Sequence, residues 1–99
     1  MSLTLDFQDH VALLTHDDGK RNVFSPDAIR DFNEALDEVE AKSASLLWVG
    51  REGCFSAGFD LKVVTGGDAD AAAAMVKAGG ELAFRIFTFP HPVVCAVTG

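Results

Sequence analysis

Short apolar runs separated by polar turns open the chain. Residues 3–7 and 11–15 predict two strands joined at Gln8-Asp9-His10, with Val11-Ala12-Leu13-Leu14-Thr15 the stronger. A polar loop, His16-Asp17-Asp18-Gly19-Lys20-Arg21-Asn22, follows with its Gly turn. The spacing then changes. Ile29, Phe32, Leu36 and Val39 recur at three- and four-residue steps, forming one apolar stripe on a helix over about Pro26 to Ala41. Ser25 is its N-cap, Pro26 suits the first helical position, and Asp27 complements the helix dipole. Phe24 and Ile29 are spaced as a hydrophobic staple.

Residues 46–50, Leu-Leu-Trp-Val-Gly, read as a buried strand. Thr65-Gly66-Gly67-Asp68 reads as a turn and N-cap, and a second helix begins at Ala69. Met75, Leu82 and Ile86 lie near one face of it, extended by Val76, Ala83 and Phe87. Gly79-Gly80 weakens its middle, at about 1 kcal/mol per Gly relative to Ala, and predicts a mobile or broken segment. Phe89-Pro90-His91-Pro92 ends the helix, and residues 93–97 form a last apolar strand.

Strands alternating with helices from Val11 onward predict an α/β fold, with βα crossovers, a largely parallel sheet and two helices. The strands at 46–50 and 93–97 are apolar at nearly every position, as expected when both faces of a sheet are covered. Two helices are thin shielding for such a sheet. The expectation is that residues 1–99 are the N-terminal part of one longer domain, interrupted after Gly99, and that the piece alone is inactive and poorly stable.

Composition narrows the function. The chain has 99 residues, 48% of them hydrophobic, which suits one ordered domain. Fifteen acids against eight bases give a net charge of −7, which argues against nucleic acid as a partner. The N-terminus has no basic segment leading an apolar core, and no apolar run approaches the roughly 20 residues of a membrane span. Cys54 and Cys95 fit no metal or redox spacing, so the expectation is two reduced thiols in a cytoplasmic protein that uses no metal.

The chemistry concentrates in Gly53-Cys54-Phe55-Ser56-Ala57-Gly58-Phe59-Asp60-Leu61-Lys62. A strand ends, a Gly-containing turn follows, and small residues bring bare backbone to the strand ends where open α/β folds bind ligands. Backbone N–H groups exposed there can stabilise a developing negative charge. Asp60 reads as the N-cap of a short helix starting at Leu61.

These residues resemble the crotonase superfamily of enoyl-CoA hydratases and isomerases. Phe55-Ser56-Ala57-Gly58-Phe59-Asp60-Leu61-Lys62 is similar to the family's most recognisable motif. The Lys20-Arg21-Asn22 loop with Ser25, and Pro92-Val93-Val94-Cys95-Ala96-Val97-Thr98-Gly99, match more weakly on either side. The resemblance implies a spiral of ββα turns and an acyl-CoA thioester partner whose enolate is stabilised by two backbone N–H groups. Ala57 matches the first donor; Gly58, Phe59, Asp60 and Leu61 match the lining of the CoA pocket. Lys20, Arg21 and Lys62 are candidates for the CoA phosphates, and with Arg51 they make a cationic patch on an acidic protein. Coenzyme A would enter as part of the substrate, with no tightly bound cofactor, and a homotrimer or hexamer is implied.

The second oxyanion donor and the catalytic acids of the hydratases match nothing in these 99 residues. Enoyl-CoA hydration or isomerisation is the leading expectation. A catalytically silent CoA-ester-binding or assembly module, or another crotonase reaction such as hydrolysis or decarboxylation, is the alternative. A flavodoxin-like nucleotide binder fits the βα order but lacks a Gly-rich loop after the first strand. His10, His16 and His91 have no partner at catalytic or metal-ligand spacing. Cys54 reads as a small semi-buried residue and Trp48 as a core aromatic, and the family resemblance implies that Met75 and Val76 line an acyl pocket.

Overall fold

The structure is a computed structural model and describes residues 3–99. Strands β1 (Leu3–Gln8) and β2 (Val11–His16) form an antiparallel hairpin across the Asp9-His10 turn. Strand β3 (Val23–Phe24) leads into helix α1 (Pro26–Ala41). Strand β4 (Ser45–Val49), strand β5 (Gly58–Phe59) and the one-turn helix α2 (Leu61–Val64) follow. Helix α3 (Ala69–Phe87) and strand β6 (Val93–Ala96) complete the chain. The main sheet has the order β1-β2-β4-β6, and both β2–β4 and β4–β6 are parallel. Strands β3 and β5 pair in parallel as a separate two-stranded unit.

Local signals account for the helices. Ser25 Oγ accepts from the Ala28 N–H at 3.1 Å, which caps α1. The stripe Ile29, Phe32, Leu36 and Val39 is buried in full, each side chain contributing about 1.5–3 kcal/mol of apolar burial. Asp68 caps α3 by accepting from the Ala71 N–H at 3.0 Å. Arg85 clips α3 to α1: it donates to the Asn33 carbonyl at 3.1 Å and pairs with Asp37 at 2.7 Å.

The core lies on one face of the sheet. Ala12, Leu14, Leu46 and Trp48 point into it and meet Phe32 and Leu36 of α1 and Met75 and Leu82 of α3. Both long helices feed this single cluster, so among the described residues helices cover one face of the sheet and not the two expected. Val11 and Leu13 are exposed on the other side, and Val94 in β6 is 58% exposed.

Two further expectations change. Helix α3 runs unbroken through Gly79-Gly80, because its flanking turns are anchored by Met75 and Leu82 in the core. The short helix expected from Leu61 is α2, of four residues, which stands beside the two long helices. His16 is the last residue of β2, buried and not in a loop, because the antiparallel pairing with β1 carries the strand past Thr15 to a Leu3–His16 pair.

Candidate active site

Two loops meet beyond the ends of β2 and β4. The first, residues 17–22, is shaped by Asp18. Its carboxylate accepts from the N–H groups of Lys20 at 2.7 Å, Asn22 at 2.9 Å and Val23 at 3.2 Å. Burial pushes this carboxyl up, but those three donors outweigh it and hold the group below the ordinary aspartate range.

Asn22 joins the first loop to the second. It is fully buried with φ +53°, a left-handed conformation that Asn tolerates better than most residues. Its Nδ2 donates to the His16 carbonyl at 2.6 Å and reaches the Cys54 and Phe55 carbonyls at 3.3 and 3.2 Å. Its own carbonyl accepts from Ser56 Oγ at 2.8 Å, and Ser56 Oγ in turn accepts from the Gly58 N–H at 3.1 Å. One side chain thus holds the end of β2 and the start of the 54–62 loop. A buried Asn in a Gly-containing loop was the available sequence signal; what it reaches, 32 and 33 residues away, was not.

The 54–62 loop then turns at Gly58. Its φ of +92° suits glycine and redirects the chain between Ala57 and Phe59. Asp60 caps α2 through the Lys62 N–H at 3.0 Å, as its spacing predicts, so its carboxylate is engaged locally. The Ala57 N–H donates to the Arg21 carbonyl at 2.9 Å. In this structure the N–H of Ala57, the expected oxyanion donor, is thus engaged where loop 17–22 crosses the motif.

Behind the turn lies an apolar cavity of about 370 Å³, within the range of small-molecule sites. Phe24, Trp48, Gly58 and Phe59 form one wall, and Gly79, Leu82, Ala83 and Ile86 of α3 form the other. The expected pocket residues sit elsewhere. Met75 is in the core, and Val76 is half exposed one turn before the cavity, because the cavity faces the C-terminal half of α3.

The candidate cations surround the loops. Lys20, Arg21 and Lys62 are exposed and, among the described residues, make no ion pair. The Ala57 bond to Arg21 puts that residue's backbone against the motif, and Lys62 lies on the first turn of α2. Arg51 is used structurally, pairing with Asp17 at 3.6 Å and donating to the Lys20 carbonyl.

His16 and Cys54 are held by the packing around the loops. His16 packs against Phe24 and Phe32, ring centroids 5.6 and 5.3 Å away, and neither ring nitrogen has a partner. Burial pushes its pKa down against the opposing pull of Asp18 and Asp17. Cys54 is half-buried, its Sγ 3.3 Å from the Arg21 carbonyl. Among the described residues no three His, Cys, Asp or Glu side chains form a metal-ligand group, and no helix is long and apolar enough to cross a membrane.

Comparison with known proteins places this geometry in context. The family model described as enoyl-CoA hydratase/isomerase matches residues 6–99. A probable enoyl-CoA hydratase of Bacillus subtilis (strain 168) is 29% identical over 102 residues, covering 99% of this chain and 39% of its own length. The crystal structure of an enoyl-CoA hydratase/isomerase family protein from Pseudomonas syringae superposes with a TM-score of 0.94 at 41% identity, covering 99% of this chain and 42% of that one. An enoyl-CoA hydratase from Mycobacterium ulcerans superposes with a TM-score of 0.95 at 39% identity, covering 100% and 44%. The chain therefore spans about two fifths of the length of these relatives.

Proposed function

The chain belongs to the enoyl-CoA hydratase/isomerase family, within the crotonase superfamily, and from that premise we propose that it is the part of an acyl-CoA enzyme that cradles the thioester and stabilises its enolate. The observation that carries the reading is the apolar cavity opening directly behind the Gly58–Phe59 backbone. An acyl chain fits the cavity, and its thioester carbonyl then lies over the turn.

The oxyanion donor falls to the Phe59–Leu61 stretch. The amides of Ala57, Gly58 and Lys62 already donate to Arg21, Ser56 and Asp60. Ala57 acts by holding the loop against Arg21. A backbone donor of this kind is worth about 3–4 kcal/mol of barrier where one has been removed from an enzyme. Lys20, Arg21 and Lys62 bind the CoA phosphates, a local cationic rim on a chain of net charge −7. Coenzyme A enters as part of the substrate, with no tightly held cofactor. Hydration or isomerisation of an enoyl-CoA is the reaction proposed, in a homotrimer or hexamer. Exposed apolar side chains such as Phe87 of α3, 88% exposed, favour an assembled state.

The test is titration of the full-length protein with CoA, a saturated acyl-CoA and an enoyl-CoA, followed by ultraviolet absorbance of the conjugated thioester. Saturable binding of the esters, with loss or shift of the conjugated absorbance, is expected. No binding of any CoA ester would refute the proposal. Binding without turnover would leave a CoA-ester-binding module and reject the enzyme.

A further inference from the structure

One contact in the cavity wall is unusually close. The tip of the Phe59 ring lies on the bare backbone of Gly79 in α3. A Cβ placed on Gly79 would fall 2.6 Å from Phe59 Cζ and nearer still to Cε1, distances at which a side chain must move. Ile29 Cδ1, at 3.7 Å from the same point, closes the other side in ordinary contact. The ring's position therefore depends on the absence of one methyl group on the facing helix.

The pair also borders the cavity. Phe59 and Gly79 both line it, and Trp48, Leu82 and Ile86 complete its apolar walls. No charged side chain is among the lining residues, and Lys20, Arg21 and Lys62 lie outside it. Desolvating a carboxylate in such walls without a partner is strongly unfavourable. A hydrocarbon chain gains about 0.8 kcal/mol for each methylene buried.

We propose that Gly79 and Phe59 form the length-selecting wall of the acyl site, and that the site takes an uncharged aliphatic acyl group. The inference rests on the acyl-CoA reading above and adds to it which acyl groups are accepted and what limits them. Gly79 lets the ring lie back on α3, which keeps the cavity open. A side chain at residue 79 fills part of the cavity and drives the ring into more of it, so distal carbons of a long chain lose their place first. Butyryl groups, which end near the turn, lose little.

The experiment measures Kd of the full-length protein for butyryl-CoA, octanoyl-CoA and an ω-carboxylated acyl-CoA of octanoyl length. The wild type is expected to bind octanoyl-CoA well ahead of the carboxylated analogue. In Gly79→Ala the octanoyl-to-butyryl preference should fall about tenfold or more, the range a misfitted methylene produces. Gly79→Ala combined with Phe59→Leu should recover most of that preference, because the shorter side chain clears the new methyl group. Phe59→Leu alone provides a second readout if the alanine variant does not fold. It should raise tolerance of long or branched acyl groups while keeping the backbone N–H. Equal changes for both chain lengths in the variants, or equal wild-type affinity for the carboxylated analogue, would overturn the inference while acyl-CoA binding itself stands. Failure of every acyl-CoA to bind would overturn the acyl-CoA reading and this inference with it.

Discussion

Asn22→Ala tests the clamp on which the site depends. The substitution removes Nδ2, leaving the buried His16 carbonyl without its 2.6 Å donor and the Cys54 and Phe55 carbonyls without theirs. One orphaned buried acceptor costs about 1–3 kcal/mol. Alanine at φ +53° adds about 1–2 kcal/mol, since Cβ crowds the following carbonyl in the left-handed region. The total is about 3 kcal/mol. Urea unfolding of the full-length protein reads this as a lower midpoint at unchanged slope. Asn22→Gly removes the backbone cost and should recover about 1 kcal/mol relative to Asn22→Ala. Asn22→Asp keeps the shape but turns lone pairs towards three carbonyl oxygens, and should be at least as destabilising as alanine. A loss below about 1 kcal/mol for Asn22→Ala, or an Asp variant of native stability, would refute the clamp.

Other outcomes follow from the same geometry. His16 has its folded pKa below the unfolded value of 6.5, so the unfolded chain takes up the proton first and stability falls as pH drops below that value. His16→Phe should flatten the stability profile just below pH 6.5, and an unchanged acid slope would exclude His16 as its source. Asp18, also lowered, adds a loss at more acid pH, as its folded carboxylate protonates below the ordinary value of 3.8. Arg85→Ala removes the bonds from α3 to Asn33 and Asp37 and should cost about 1–2 kcal/mol in chemical unfolding, with a neutral result showing that packing alone joins the helices. Ala57→Pro deletes the N–H that bonds Arg21 and should weaken acyl-CoA binding together with stability. Loss of turnover at native stability and affinity would instead return the oxyanion role to Ala57.

The elements themselves were written locally. Ser25, Pro26 and the Ile29–Phe32–Leu36–Val39 stripe specify α1 at Pro26–Ala41 without reference to the rest of the chain, because caps and stripes act within a few residues. The alternation of strands and helices, the largely parallel sheet and the turn motif at 53–62 followed in the same way from periodicity and turn chemistry, whereas the order β1-β2-β4-β6 and the separate β3–β5 pair came only with the structure. The membership of the family was legible in that motif. Tertiary structure decided what lies across the fold. Whether the Ala57 amide is open depends on Arg21, 36 residues earlier, and what packs on the bare backbone of Gly79 depends on Phe59. His16 reads as a loop residue until the pairing of β2 with β1 extends the strand to it, where it packs among Phe24 and Phe32. Sequence declares the backbone propensity and the residue types. Which donor is spent, which ring fills which gap and where the cavity opens are set by contacts between segments far apart in the chain, and those exist only once the sheet and both long helices have come together.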